Sequence, residues 1–91
     1  MIKSFADKDT ERFFNRQRVR QFQPIEKPGL RKLAVLNEAT GLTDLRSPGN
    51  NLESLKHTHP GFYSVRVNDR FRLIFRWSDG DAYDVAITDY H

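Results

Sequence analysis

The last third of the chain alternates between apolar and polar residues in three short runs. The runs cover residues 62–67, 70–77 and 82–89, and turn-forming residues separate them at 68–69 and 78–81. Alternation with a period of two, in β-branched and aromatic residue types, predicts half-buried strands. The pattern therefore predicts an antiparallel meander with one apolar face, made of Tyr63, Val65, Val67, Phe71, Leu73, Phe75, Trp77, Tyr83, Val85 and Ile87.

The apolar residues of neighbouring strands must lie on the same face, which restricts how the first two strands pair. A two-residue loop would pair Val67 with Arg70 and place the apolar residues of the two strands on opposite faces. A three-residue loop, with a bulge, pairs Val67 with Phe71 and returns them to one face. This register places Arg66 directly opposite Arg72.

The other face of the predicted sheet, here called the open face, is rich in arginine. If the apolar residues also stay on one face across the second turn, Arg76 lies opposite Asp84 and Arg70 lies opposite Tyr90. Arg66 and Arg72, by contrast, have no evident carboxylate partner. Because like charges placed opposite each other destabilise a sheet, this pair indicates a site that binds an anion. A solvated outer face is the other interpretation, and the spacing leaves both open.

Two helices are predicted ahead of the sheet. Residues 1–5 form a short edge strand in this interpretation, and Asp7 is suited to cap a first helix over residues 8–16. Pro28 is suited to the first turn of a second helix that ends near Thr40. Both helices would cover the apolar face of the sheet, which gives an α+β domain of two layers.

Between the helices, residues 15–24 are polar and basic and show no clear period. Such a segment is typical of a solvated loop or of one that a partner orders. The whole chain carries a net charge of +3, with ten arginines and five lysines. A basic surface suits nucleic acid and equally suits an acidic protein, so charge alone does not choose between them.

The composition excludes several classes of protein. The 91 residues are enough for one small domain, which we place at residues 1–91. The absence of cysteine excludes disulfides, thiolate metal sites and catalysis by a thiol. The sequence has no signal peptide and no apolar run of the ~20 residues that span a membrane, so we expect a cytoplasmic protein without membrane contact.

Two histidines, His57 and His59, lie two residues apart just before the meander. A metal site would need further ligands at suitable spacing, and the sequence offers no cysteine and no spaced third histidine beyond the terminal one. We therefore interpret the two histidines as loop residues that can touch RNA, and we expect neither a metal nor a cofactor.

The end of the chain offers three groups suited to proton transfer, on Asp89, Tyr90 and His91. Cleavage of RNA without a metal needs a base for the 2′-hydroxyl, cations for the charged phosphorane and an acid for the leaving oxygen. The candidates for these roles, in that order, are His91 or Asp89, then Arg72 with Arg66 and Lys56, then Tyr90. A frayed terminus is the alternative interpretation of the last residues.

At this point the chain resembles a known family, the HigB-type killer toxins of the RelE-like superfamily of type II toxin–antitoxin systems. The residues that carry the resemblance are Arg66-Val67-Asn68-Asp69-Arg70-Phe71-Arg72-Leu73, Phe75-Arg76-Trp77, Gly80-Asp81-Ala82-Tyr83 and Asp89-Tyr90-His91. The resemblance extends upstream through residues 30–39 and 45–55, and the second of these segments is most similar to the GraT branch. It covers essentially the whole chain and implies a RelE-like fold.

The resemblance implies an activity and partners. The expected activity is that of a ribosome-dependent mRNA endonuclease, which cuts codons in the ribosomal A site by attack of the 2′-hydroxyl on the adjacent phosphate. The expected result is inhibition of translation and growth. The expected partners are the ribosome with its mRNA and a helix-turn-helix antitoxin of the HigA or GraA type, through which alone operator DNA would be bound.

The resemblance also implies roles for individual residues. Arg72 falls on the sheet arginine that stabilises the scissile phosphate, and Lys56 matches a basic residue before the sheet. Asp89, Tyr90 and His91 fall on the catalytic cluster at the C-terminus of the family. The further candidates for RNA binding are Arg66, Arg70 and His57.

Glu53 is a departure from many HigB-type toxins, which have a histidine there in a segment reading Leu-His-Pro-Leu-Lys. GraT-like members also have glutamate at this position. Glu53 is suited to act as a base or to orient one. Unlike a histidine, however, it cannot act as a positively charged proton donor at neutral pH. His57 would replace the missing histidine only if its loop folds back.

Two other functions stay open from the residues themselves. One is a non-catalytic RNA- or ribosome-binding protein that blocks translation by occupancy. The other is an interaction protein whose basic stretch, residues 12–32, docks on an acidic partner. Binding to RNA or ribosomes that weakens steeply with salt would separate the first of these from the second.

Overall fold

The computed structural model describes residues 1–89, and within them two α-helices precede a four-stranded antiparallel sheet. The helices are α1, Lys8–Phe14, and α2, Glu26–Glu38. The strands follow in the order β1-β2-β3-β4 as Glu53–Ser54, Phe62–Arg66, Phe71–Ser78 and Asp81–Asp89. Short 3₁₀ helices occupy Arg20–Ile25, Leu42–Leu45 and Pro48–Asn50. The predicted α+β architecture of two layers is confirmed. None of the helices in the described residues is long and apolar enough to cross a membrane.

The core lies between the helices and one face of the sheet. Phe13 of α1 and Leu33 of α2 are buried against side chains that alternate along the strands. The fully enclosed sheet residues are Leu73, Phe75, Ala82 and Val85, each with 0% exposure. Burial at every second position of β3 is what the period-two pattern predicts.

In the connection between β2 and β3, Val67 pairs with Phe71 across three residues, 68–70, as predicted. The N–H groups of Val67 and Asn68 both donate to the carbonyl of Phe71, at 3.0 and 3.3 Å. The side-chain oxygen of Asn68 accepts hydrogen bonds from the N–H groups of Arg70 and Phe71, at 2.9 and 2.7 Å, which closes the loop as an Asx turn does. The register that follows places Arg66 opposite Arg72, as predicted.

A β-bulge in β4 overturns part of the predicted register. Ile74 pairs with Ala86 but Arg76 pairs with Tyr83, so Asp84 and Val85 together occupy one position of the ladder. Asp84 has a left-handed backbone, with φ of 53°. Because of the extra residue, each side chain in the first half of β4 points to the face opposite to the predicted one. The predictions that Tyr83 lies on the apolar face and that Arg76 lies opposite Asp84 are therefore wrong.

Both residues of that predicted pair still interact. The Nε of Arg76 lies 3.4 Å from a carboxylate oxygen of Asp84. The guanidinium also lies over the Tyr83 ring, 4.6 Å from its centroid. Ala82, buried completely, takes the core position that the alternation pattern gave to Tyr83.

The first helix begins where the sequence predicts and ends two residues early. The Asp7 carboxylate accepts a hydrogen bond from the Thr10 N–H at 2.7 Å, which caps α1. Arg16 has a φ of +67°, a conformation that cannot continue a right-handed helix. Ahead of α1, residues 1–5 make two isolated parallel bridges to the edge of β4 rather than a regular edge strand, Ile2 with Ala82 and Phe5 with Val85.

The segment between the helices is ordered against the core, so the expectation of a solvated or partner-ordered loop is wrong. Val19, Phe22 and Ile25 are 5%, 5% and 0% exposed. Their spacing of three residues matches the period of the 3₁₀ helix at Arg20–Ile25. The Phe22 ring packs edge-on against Phe13, with centroids 5.3 Å apart. This 3₁₀ helix leads directly into α2, which begins at Glu26 and therefore has Pro28 in its first turn, as predicted.

Candidate functional site

The connection between β1 and β2 folds back on itself and lies over the open face. The carbonyl of Leu55 accepts hydrogen bonds from the N–H groups of Thr58 and His59, at 3.0 and 2.7 Å. The N–H of Leu55 donates to Phe62, and the N–H of Phe62 donates to His59, at 2.9 and 3.0 Å. Gly61, with φ of +86°, supplies the left-handed turn that lets the chain enter β2. The loop is therefore held by its own backbone.

A cavity of about 210 Å³, here called the open-face cavity, lies between this loop and the sheet. Its lining includes Glu53, Leu55, His59, Ser64, Arg72 and Ile74. Glu53 comes from β1, where it pairs with Ser64 of β2, and Arg72 comes from β3. The fold thus brings together Glu53 and Arg72, two predicted site residues that are 19 positions apart in the sequence.

His59, which the sequence indicates only as a loop residue able to touch RNA, lines the cavity. His57, which was predicted as a site residue, is exposed and is not part of the cavity lining, and the same is true of Lys56. The loop does fold back, but the hydrogen bond from His59 to Leu55 brings the second histidine of the pair to the cavity. The turn-forming residues of segment 57–61 indicate that the chain reverses its direction there. They do not indicate which of the two histidines reaches the cavity, because the hydrogen bonds of the folded loop decide that.

Arg72 is anchored at the base of the β2–β3 loop. Its Nη1 donates to the carbonyl oxygens of Asn68 and Phe71, at 2.5 and 3.1 Å. Arg66, its cross-strand neighbour, forms an ion pair with Asp69 in the same loop. The expectation that Arg66 lacks a carboxylate is therefore wrong. Asp69 is 98% exposed, so the ion pair offsets the repulsion between the two arginines without burying a charge.

Arg70 and Asp89 lie away from the open-face cavity. Arg70 lies just before β3, outside the strand. Its side chain therefore does not share the open face with those of Arg72 and Arg76. Its Nε lies 2.9 Å from both carboxylate oxygens of Asp89, and its Nη2 lies 2.6 Å from one of them. Asp89 pairs with Phe71, which faces the core, and both members of the ion pair line a groove of about 510 Å³ that includes Gln21 and Phe22. The pair therefore lies on the helix side of the sheet.

The ion pair changes the proton affinity of Arg70. Its hydrogen bonds with the Asp89 carboxylate, followed by the charge of that group, raise the pKa of the Arg70 guanidinium above its ordinary value. Lys32 shows the opposite effect in a second basic cluster. Burial lowers the pKa of Lys32, and the charges of Arg31 and Arg66 lower it further. The Lys32 ammonium donates to the side-chain oxygen of Asn50 at 2.5 Å.

The remaining predicted site residues, Tyr90 and His91, lie outside the described residues. Within residues 1–89, no three His, Cys, Asp or Glu side chains converge on a point where they could hold a metal ion. The described residues place one guanidinium, one imidazole and one carboxylate around a partly apolar cavity. Guanidinium groups recognise phosphate, and the carboxylate is able to accept a proton.

The chain is similar to known toxins over almost its whole length. Residues 3–91 match the model of the HigB-like toxin family, described as the RelE-like toxin of type II toxin–antitoxin system HigB. Toxin HigB-1 of Vibrio cholerae serotype O1 (strain ATCC 39315 / El Tor Inaba N16961) is 41% identical over 90 residues, which cover 96% of this chain and 95% of that protein. Endoribonuclease HigB of Proteus vulgaris is 30% identical over 93 residues, with both chains covered completely.

A solved structure supports the fold independently. A chain of the YoeB dimer from Staphylococcus aureus superimposes with a TM-score of 0.62 at 21% identity, and the match covers 99% of this chain and 97% of that one. The RelE-like fold expected from the sequence is confirmed, whereas placement in the GraT branch stays a prediction. The chain therefore belongs to the HigB family of RelE-like toxins of type II toxin–antitoxin systems and is a homologue of an endoribonuclease.

Proposed function

We propose that this protein is a ribosome-dependent endoribonuclease that cleaves mRNA in the ribosomal A site and so inhibits translation and growth. Membership in the toxin family and the relative named as an endoribonuclease support cleavage of RNA. The observation that carries the proposal is the meeting of Arg72 and Glu53 in one open-face cavity. A guanidinium beside a carboxylate in a cleft is a pairing suited to binding a phosphate next to a proton acceptor.

The proposed reaction is transfer of the phosphate within the RNA. The 2′-oxygen attacks the adjacent phosphorus, and the bond from phosphorus to the 5′-oxygen breaks. The proton of the 2′-hydroxyl goes to a base, and an acid delivers a proton to the 5′-oxygen. The products are a 2′,3′-cyclic phosphate and a 5′-hydroxyl. No metal takes part in this proposed path.

Arg72 binds the scissile phosphate and stabilises the charge that develops on the phosphorane. Glu53 is placed in the same cavity to take the 2′-proton or to orient the group that takes it. Tyr90 and His91 are proposed to supply the remaining proton transfer. Asp89, which immediately precedes them, is already paired with Arg70, which favours a positioning role for its carboxylate.

The other basic residues are proposed to hold the RNA around this centre. Lys56 and His57 are exposed on the loop that borders the cavity. Arg66 lies on β2, directly opposite Arg72 of β3. Arg70 acts through Asp89 in this proposal. A type II toxin implies a cognate antitoxin, and we propose one of the helix-turn-helix type, which alone would bind operator DNA.

The test is to map the 5′ ends of mRNA after incubation with the purified protein, with and without ribosomes. A variant that lacks His91 is run beside it. We expect codon-linked cuts that need ribosomes, and a loss on the order of 10²-fold without His91 if it transfers a proton. Inhibited translation with intact mRNA would instead identify a protein that blocks the ribosome by occupancy, and the nuclease proposal would be withdrawn.

A further inference from the structure

The open-face cavity has apolar walls that binding of a phosphate does not require. Leu55 and Ile74 line it together with Arg72. Ile74 is a half-buried aliphatic residue on a face whose neighbouring positions along β3 are Arg72 and Arg76. A phosphate gains from charged and hydrogen-bonding groups and gains little from aliphatic carbon. The flat face of a nucleobase, in contrast, is suited to such walls.

His59 provides an aromatic surface at the same cavity. Its ring packs edge-on against Phe62, with centroids 5.9 Å apart and an angle of 67° between the planes. Its backbone is fixed by hydrogen bonds to Leu55 and from Phe62, at 2.7 and 3.0 Å. Proteins recognise single-stranded RNA by stacking unpaired bases on aromatic rings, histidine among them. An imidazole that packs against Phe62 on a backbone held in this way is suited to this use.

The polar members of the cavity give it a preference among bases. Glu53 lines the cavity from β1, and a carboxylate accepts hydrogen bonds but donates none. Adenine, cytosine and guanine carry an exocyclic amino group that donates to such an acceptor, whereas uracil carries none. A volume of about 210 Å³ is below the range of ~300–1,000 Å³ typical of sites for drug-sized ligands, so the cavity fits one base.

We propose that the open-face cavity binds one unstacked nucleobase of the RNA, next to the phosphate held by Arg72. His59 and the aliphatic side chains of Leu55 and Ile74 contact the faces of the base. One carboxylate oxygen of Glu53 accepts a hydrogen bond from its exocyclic amino group, which leaves the other oxygen for the 2′-hydroxyl. The site selects against uracil at that position. This inference rests on the proposed function for the identity of the substrate as RNA.

The test uses binding rather than cleavage, so it is independent of the ribosome. The probes are 2′-O-methyl trinucleotides, which cannot react, with adenine, cytosine, uracil or no base at the central position. Binding is followed by NMR through the imidazole C–H signals of His59, with the indole signals of Trp77, which packs against the core and is not part of the cavity lining, as an internal control. We expect the adenine and cytosine probes to shift the His59 signals and to bind about tenfold tighter than the uracil and abasic probes, which corresponds to about 1.4 kcal/mol.

Matched variants separate the base contact from the phosphate contact. His59→Ala is expected to remove the advantage of the adenine probe over the abasic probe. His57→Ala, two residues away on the same loop, is expected to change the affinity for both probes by the same factor and so to keep that advantage. Glu53→Gln is expected to admit uracil, because an amide both donates and accepts. Arg72→Ala is expected to weaken all four probes alike.

The other possible outcomes distinguish failure of the base pocket from failure of the proposed nuclease activity. Equal binding of all four probes, no His59 shift at millimolar probe, or equal effects of the two histidine variants would overturn the base pocket. Ribosome-dependent cuts would still support the nuclease in that case. Conversely, selective binding of the adenine probe without mRNA cleavage would support the pocket and overturn the nuclease.

Discussion

The guanidinium of Arg70 contacts the carboxylate of Asp89 at 2.6–2.9 Å and so joins the residue before β3 to the last described residue of β4. Arg72, only two positions further, contributes instead to the cavity on the opposite face. The side chains of the two arginines lie on opposite faces of the sheet because Arg70 belongs to the loop and Arg72 to the strand. The ion pair therefore holds Asp89 in place, and Asp89 directly precedes Tyr90 and His91 in the sequence.

Removing either member of this pair is expected to impair cleavage without unfolding the protein. Arg70→Ala and Asp89→Ala should each reduce ribosome-dependent cleavage about tenfold, and the double variant no further, because all three lose the same interaction. Cleavage rates and urea denaturation of the four proteins complete the cycle. Additive losses in the double variant would show that the two residues act separately.

Substitution of Arg72 tests the phosphate role directly. Arg72→Ala should reduce cleavage by a factor on the order of 10²–10³, because a cation aimed at the developing charge stabilises the transition state. Its stability should change little, since the side chain is only half-buried. Arg76→Ala, on the same strand and face, removes the same charge outside the cavity lining and should retain most of the activity. Growth inhibition by Arg72→Ala at equal expression would contradict the assignment.

Much of the fold could be predicted because its signals are local. Alternation in residues 62–89 gave the three long strands, and Asp7 gave the start of α1 at the observed residue. The requirement that Val67 and Phe71 share a face gave the three-residue loop and the pairing of Arg66 with Arg72. Each of these inferences used residues that are close together in the sequence.

The errors arose where distant segments decide the structure. The bulge at Asp84 depends on the N-terminal segment, since the N–H of Asp84 donates to the Ser4 hydroxyl at 2.9 Å. The basic segment that looked disordered is ordered because Phe22 reaches both Phe13 and Phe71, with ring centroids 5.3 and 6.2 Å away. For the site, the sequence named Arg72 and Glu53 but selected His57 in place of His59, since only the folded loop brings one of them to the cavity.

The turn after α2 should make stability sensitive to acid. Hydrogen bonds from the N–H and the hydroxyl of Thr40, at 2.9 and 3.1 Å, hold the pKa of the Asp44 carboxyl below its ordinary value of 3.8. A depressed folded-state pKa stabilises the protein above the unfolded-state value, and this contribution disappears as the pH falls through the folded-state value.

Asp44→Asn should therefore lower the urea midpoint by a constant amount between neutral pH and about pH 4, and by less at lower pH. Glu38→Gln, which removes one negative charge from an exposed position at the end of α2, serves as the control. A difference between wild type and Asp44→Asn that grows on acidification would show that the carboxylate does not stabilise this turn.

The contact between the two helices depends on a glycine. A Cβ placed on Gly29 of α2 would lie 2.9 Å from Cε2 and 3.1 Å from Cζ of Phe13, whose ring is 2% exposed. Alanine in a helix interior gains roughly 0.5–1 kcal/mol over glycine when space allows. Overpacking of a core typically costs about 1–3 kcal/mol. The second effect is larger here, because the buried Phe13 ring also packs against Phe22 and cannot retreat freely.

Gly29→Ala is therefore expected to destabilise the protein by about 1 kcal/mol, the difference between the middles of these two ranges. Gly41→Ala is the matched control, because nothing lies within 4 Å of a Cβ at that position. Urea denaturation of both variants measures the effect, and Gly41→Ala should be close to wild type. Because Gly29 lies on the helix side of the sheet, Gly29→Ala should retain the RNA selectivity of the folded protein at low temperature. A Gly29→Ala variant as stable as wild type would show that the two helices separate without loss and that their contact does not limit stability.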